Sequence, residues 1–264
     1  MRLKAAAAVS RGGPSPGYRP GSDDTAAIDV VTLRTAGLAM AQVTRWLPLL
    51  GADDTARAAR FVFERDRVTF IAAHALLNTV VAAALGVAPA ALQFVRGPHG
   101  KPDVRVAGLP APISFNLSHT DGLIGLALAA APGCALGFDL ERLDRGTKID
   151  VARSYFHPEE CAWLLALPVE EQPAGFVRLW TLKEAFIKAT GEGLSRDLAS
   201  FLFRPVVPPR IAFAHQSPAV AAGEWWFEQR IIDSVFMAAV GLHTAGGHAT
   251  ITWREADAGS LMTG

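Results

Sequence analysis

The chain has 264 residues, half of them hydrophobic, so it can bury a sizeable core and is long enough for two lobes or one larger domain. Its 25 basic and 25 acidic residues cancel, with an isoelectric point near 7.1, which excludes a global electrostatic draw to nucleic acid or to an anionic membrane. Two cysteines, Cys134 and Cys161, are too few and too unpatterned for a disulfide framework or a zinc site, a usage that fits a reducing cytoplasm.

Residues 1–27 read as a flexible N-terminal extension. Ala5 to Val9 is too short for the apolar core of a signal peptide, and Arg11-Gly12-Gly13-Pro14 follows at once. No apolar run reads as long enough to span a bilayer, so a soluble protein is expected. Ile28 to Leu33 then reads as a strand, and Asp54 to Leu85 as helix with a break near Asp66 and a stop at Gly86. After the Gly97 to Pro102 loop, Ile113 to Ser118 and Leu123 to Ala129 flank Asp121-Gly122, a hairpin signal. The first lobe is expected over residues 28–131. The second, over 132–264, repeats the order: a strand at Asp139, helices from Glu159 to Leu167 and Gly175 to Thr190, and a hairpin around Asp233-Ser234.

Two stretches carry chemistry. In the first, Leu136, Phe138 and Leu140 alternate with Gly137, Asp139 and Glu141, the period of a half-buried strand, which sends both carboxylates to one face. In the second, Phe176, Leu179, Leu182, Phe186 and Ala189 fall at helical spacing, while Thr181, Glu184 and Lys188 line a different face. A strand with Asp-x-Glu that meets a Glu from a helix offers hard oxygen ligands suited to magnesium, and Lys188 adds a point charge for a phosphate. Taken singly, each piece has a plain alternative: a solvated strand end, or a surface Glu184–Lys188 pair worth about 0.3 to 0.5 kcal/mol.

Order and company decide between these readings. Gly100-Lys101-Pro102, Phe115-Asn116-Leu117-Ser118-His119, Gly137-Phe138-Asp139-Leu140-Glu141 and Trp180-Thr181-Leu182-Lys183-Glu184-Ala185-Phe186-Ile187-Lys188 follow one another between about Arg57 and Leu242. In these blocks the chain resembles the 4′-phosphopantetheinyl transferases, specifically the larger two-lobed, surfactin-synthetase-activator type. The resemblance implies an α+β fold of two pseudo-twofold-related lobes, each a small, mostly antiparallel sheet packed with helices, with the active site in the cleft between them.

It also implies a reaction. Coenzyme A donates phosphopantetheine to a serine hydroxyl of an acyl or peptidyl carrier protein, apo carrier becomes holo carrier, and 3′,5′-ADP leaves. Carried over position by position, Asp139, Glu141 and Glu184 are the Mg2+ ligands, and Glu184, or a water near it, is the general base. Lys188 stabilises the phosphate or the leaving oxygen. Coenzyme A is expected to meet Arg57, Arg60, Arg96, Lys101, Pro102, Ser118, His119, Lys183 and Lys188. Lys183 has the alternative of snorkelling over apolar surface, being turned about 100° from Glu184. Relatives often carry arginines where this chain has His74 and Asn78, which leaves the role of that helix open. Phe156-His157-Pro158-Glu159-Glu160 also belongs to the pattern, and it reads as a helix start.

The carrier is expected to dock near Arg142 to Arg153, where Arg142, Arg145, Lys148 and Arg153 modestly outnumber Asp144 and Asp150, with a balanced solvated loop as the alternative. A monomer is expected, with both halves of the site in one chain and no nucleic-acid or membrane partner. The pathway served, whether fatty-acid, polyketide, nonribosomal-peptide or siderophore synthesis, stays open. Two rivals are open: a magnesium-dependent pyrophosphohydrolase that uses the same carboxylates on coenzyme A, and a non-catalytic module that binds coenzyme A or docks a carrier, which would keep Lys101 and His119 but need not keep the three carboxylates.

Overall fold

The computed structural model describes residues 26–97, 100–130, 134–144, 146, 148–205, 211–215, 224–244, 249–259 and 261. Most of the expected extension lies outside the described residues, but Ala26 and Ala27 already belong to a strand. The first half runs β1 (Ala26–Arg34), α1 (Met40–Val43), α2 (Ala52–Ala58), α3 (Glu64–Leu85), β2 (Leu92–Arg96), β3 (Pro102–Val106), β4 (Leu109–Pro110), β5 (Ser114–Thr120) and β6 (Leu123–Ala129). The second half adds β7 (Ala135–Arg142), α4 (Ile149–Tyr155), α5 (Pro158–Ala166), α6 (Gln172–Thr190), β8 (Phe201–Pro205), β9 (Ile211–His215), β10 (Glu224–Ile232), β11 (Phe236–Thr244) and β12 (Ala249–Glu255).

Two sheets form the frame. The first has the order β12-β1-β6-β5 and the second β10-β11-β7; within them only β1 and β12 run parallel. Alternation along the strands gives each sheet two apolar faces. On one face of the first sheet Val31, Leu33, Ile124, Leu126 and Leu128 pack with Ile71, Ala75 and Leu76 of α3. On the other, Ile28, Val30, Leu123 and Ala127 meet Leu136, Phe138 and Leu140 of β7 and Ala238, Val240 and Leu242 of β11. The far face of the second sheet, through Met237, Ala239 and Phe227, receives Leu179, Leu182 and Phe186 of α6. The molecule is therefore layered as α3, sheet, sheet, α6, the α+β architecture expected.

Several expectations shift in detail. The helical break falls at residues 59–63, ahead of Asp66, and α3 begins at Glu64 with two acids in its first turn, where they oppose the positive end of the helix dipole. Gly86 ends α3 at φ +68. By length and composition α3 is apolar enough to cross a membrane, contrary to the expectation that no run was, but most of it is buried inside the protein, as a core helix between α1, α2 and a sheet must be. Although β12 lies in the second half of the chain, it completes the first sheet beside β1, with Ile28 opposite Ile251.

Candidate active site

The site forms where α6 crosses β7. Gly137 makes that crossing close: a Cβ there would stand 1.8 Å from the carbonyl oxygen of Ala185, so only glycine lets the helix backbone rest on the strand. One residue pair further along β7, on the same face, lies Asp139. Its side chain is 6% exposed, and its Oδ1 accepts hydrogen bonds from Lys188 Nζ at 2.6 Å and Ser118 Oγ at 3.0 Å. Lys188 Nζ also donates to Ser118 Oγ at 3.1 Å, closing a triangle of ammonium, hydroxyl and carboxylate from α6, β5 and β7. The plain surface pair of Glu184 with Lys188 is not what forms, since Lys188 turns to Asp139.

Glu184, one turn before Lys188, sits against the same charge. Burial, then the Asp139 charge, pushes its carboxyl up to about 7; Glu141 adds to the rise and Lys188 opposes it. The group is thus poised to take and release a proton near neutrality. Among the described residues, no group of three His, Cys, Asp or Glu side chains forms a ready metal cage. The donors still suit a hard divalent cation. Among the described residues Oδ2 of Asp139 is buried without a hydrogen-bond partner, and the repulsion from Asp139 and Glu141, which adds to burial in lifting Glu184, is charge that such a cation would neutralise.

The two sheets meet at β5 and β7, and side chains of alternate β5 residues stitch the seam. Ser114 Oγ donates to the Cys134 carbonyl at 3.0 Å, Asn116 Oδ1 accepts from the Phe138 N–H at 3.2 Å, and Ser118 reaches Asp139. Asn116 went unassigned in the sequence. The signal was present in its alternation with Ser114 and Ser118, which puts all three on one side of the strand.

Beside the seam lie two adjoining cavities of about 790 and 800 Å³, each in the size range of a small-molecule site. Arg57, Arg60, Arg96, Gly100 and Pro102 line the first; Arg57, Arg65, His119 and Arg142 line the second. Arg57 and His74 border both. His74 Nδ1 pairs with the Phe70 carbonyl at 2.9 Å and its Nε2 lies 3.7 Å from Asp54 Oδ1, while Asn78 Nδ2 donates to the His74 carbonyl at 2.7 Å. The α3 face whose role the sequence left open is therefore a cavity wall.

Two lysines expected at coenzyme A lie elsewhere. Lys183 is wholly buried in the second core, 2.7 Å from Glu160, and donates to the carbonyls of Leu198 at 2.7 Å and Phe201 at 3.0 Å. It neither faces the cleft nor snorkels, because a charge this deep needs a full set of acceptors and finds them there. Its partner Glu160 completes the capping box of α5 and also accepts the Phe203 N–H at 2.8 Å. Lys101 directs its ammonium to the carbonyls of Leu136 at 3.1 Å and Ala189 at 2.9 Å, between strand and helix.

Comparison with known proteins agrees with this geometry. A family model described as the 4′-phosphopantetheinyl transferase superfamily matches residues 135–239, and one described as 4′-phosphopantetheinyl transferase, N-terminal, matches residues 39–131. The chain is 34% identical to the 4′-phosphopantetheinyl transferase HetI of Nostoc sp., over 62% of this chain and 70% of that protein. It is 34% identical to a 4′-phosphopantetheinyl transferase of Bacillus subtilis, over 63% and 71%, and 28% identical to Sfp of Bacillus subtilis strain 168, over 61% and 68%. Neither the hydrolase nor the binding-module reading gains support from these matches. With both halves matched, and relatives 34% identical over 70% or more of their own length, the chain belongs to the 4′-phosphopantetheinyl transferase family.

Proposed function

We propose that this chain moves 4′-phosphopantetheine from coenzyme A to a serine of an acyl or peptidyl carrier protein, and that the cleft between β5, β7 and α6 does the work. The observation that carries this reading is the Asp139–Ser118–Lys188 triangle, set beside a carboxyl with a pKa of about 7 and two cation-lined cavities. Coenzyme A has a 3′-phosphate and a pyrophosphate, so its donor site needs separate cations and hydroxyls for each. Arg57, Arg60 and Arg96, with His119 at the rim and Pro102 in the wall, serve the nucleotide end. Ser118 and Lys188 serve the pyrophosphate.

Glu184 takes the proton of the carrier serine as its oxygen bonds to the phosphorus bearing pantetheine. The bond from that phosphorus to 3′,5′-ADP breaks, and Lys188 steadies the negative charge on the departing oxygen. Without a cation the Glu184 carboxyl stands at about 7; Mg2+ held at these carboxylates would favour its ionised form, the form that accepts the proton. Asp139, Glu141 and Glu184 would hold Mg2+, which when bound neutralises pyrophosphate charge and favours the leaving group.

The carrier docks across Arg142 to Arg153. The basic excess there is smaller than its composition suggests, for Arg142 binds Asp144 through two hydrogen bonds and Arg153 lies 4.0 Å from Asp150. The reading carries with it a monomer working in a reducing cytoplasm, where Cys134 and Cys161 remain free thiols. The test is to mix apo carriers of several kinds with coenzyme A, Mg2+ and this protein, then follow intact mass. Gain of one phosphopantetheine by at least one carrier is expected; no gain by any acyl or peptidyl carrier would overturn the reading.

A further inference from the structure

Lys101 joins three parts of the molecule that the reaction needs in register. Its neighbours Gly100 and Pro102 line the first cavity together with Arg96. The loop is closed on itself by the Gly97 N–H donating to the Lys101 carbonyl at 2.8 Å and the Gly100 N–H donating to the Gly97 carbonyl at 3.1 Å. From this wall the lysine side chain runs across the seam. One hydrogen bond goes to the carbonyl of Leu136, three residues before Asp139 on β7, and the other to the carbonyl of Ala189, the residue after Lys188. Ala189 is in the last turn of α6, where carbonyls have no partner within the helix, and an ammonium there also favours the negative end of the helix dipole. The lysine stem runs against Gly191, at whose position a Cβ would meet Lys101 Cδ at 3.6 Å. Burial pushes the Lys101 ammonium below its ordinary value, and in this partly buried place its hydrogen bonds go to two backbone carbonyls.

A cation meant for a phosphate ends in a cavity. This one ends between a strand and a helix. We propose that Lys101 is a positioning residue that couples the coenzyme A cavity to the catalytic helix, holding Lys188 and Asp139 in register with the nucleotide wall without itself contacting a phosphate of coenzyme A. The inference rests on the assignment of the cleft as the transfer site.

The two roles separate with Lys101→Met, which keeps the stem and removes the donor. Transfer rate, calorimetric binding of 3′,5′-ADP, and the preference for coenzyme A over 3′-dephospho-coenzyme A are measured for the variant and the parent protein. A positioning residue loses kcat, by about 10-fold or more for a small misplacement, while 3′,5′-ADP still binds at full stoichiometry within about 3-fold of the parent affinity and the preference for the 3′-phosphate is unchanged. Unchanged kcat, or a loss confined to the 3′-phosphate preference, would overturn the proposal, the second because it marks a direct phosphate contact. A purely structural role lowers the melting temperature but leaves kcat per nucleotide-binding site untouched, and that result overturns it too.

Hydrogen exchange supplies a readout free of turnover. Coenzyme A is expected to protect residues 186–191 in the parent protein and not in the variant; equal protection in both would overturn the coupling. If Lys101→Met does not fold, Lys101→Gln, with a shorter donor, is read by the same criteria. Failure of the parent protein to modify any apo carrier would sink the function itself, whereas a parent that works beside an unaffected variant sinks only the positioning role.

Discussion

Glu184 and Lys183 are neighbours in sequence with opposite fates. Helical rotation of about 100° per residue separates their directions, and this much was legible: Glu184 goes to the Asp139 face and Lys183 does not. What lay on the other side was not legible, because Glu160 stands 23 residues earlier, and the Leu198 and Phe201 carbonyls come from a later turn and the start of β8. The Asp-x-Glu strand was readable for the reverse reason, as period two alone puts Asp139 and Glu141 on one face. At Glu184 the physics yields a pH prediction. With a carboxyl near 7, about half the molecules carry its proton at pH 7, and a bound divalent cation favours the ionised form. Titration of Mg2+ at pH 7 is therefore expected to release up to about half a proton per site, falling towards zero at pH 9. Calorimetry in buffers of different ionisation enthalpy reads this directly; heats independent of buffer at pH 7 would contradict the placement of the cation beside Glu184.

At the scale of elements, α6 is held from two sides. Its β7 side rests on Gly137, and its core side is pinned by Lys183 to α5 and to the start of β8. Burial pushes the Glu160 carboxyl up and the Lys183 ammonium down, with the opposite charge of each partner countering the push. Such a pair adds little over an apolar replacement, but breaking it strands one charge in the core. Lys183→Met is expected to cost about 3 to 5 kcal/mol, seen as a lower denaturant midpoint, and replacing Glu160 as well with leucine recovers part of the loss. Unchanged stability with a raised KM for coenzyme A would instead return Lys183 to the donor site. The hairpins of both lobes were legible, because turn chemistry is local: Gly122 takes φ +94 in the first, and Asp233 and Ser234 take positive φ in the second.

Over the whole molecule, long-range pairing was the least legible. The parallel partner of β1 is β12, and the β2–β4 and β8–β9 sheets contain short strands without a clear alternating pattern. Nothing local says that Ala249–Glu255 returns to the first sheet, for parallel pairing is chosen by what remains exposed after the rest has packed. The layered fold brings β5, β7 and α6 together along one seam, and the four sequence blocks that seemed separate become one site there. The direction of a side chain within a block was the part that escaped: Lys101 was identified with its loop, but its ammonium serves the opposite lobe. The central claim is that this seam transfers phosphopantetheine with Glu184 as base, and it is tested most directly by the single-turnover rate at which an apo carrier gains phosphopantetheine, followed by intact mass for the parent protein and Glu184→Gln. The account predicts a rate at least about 100-fold lower for the variant, with coenzyme A binding within about 3-fold of the parent; transfer at the parental rate would contradict it.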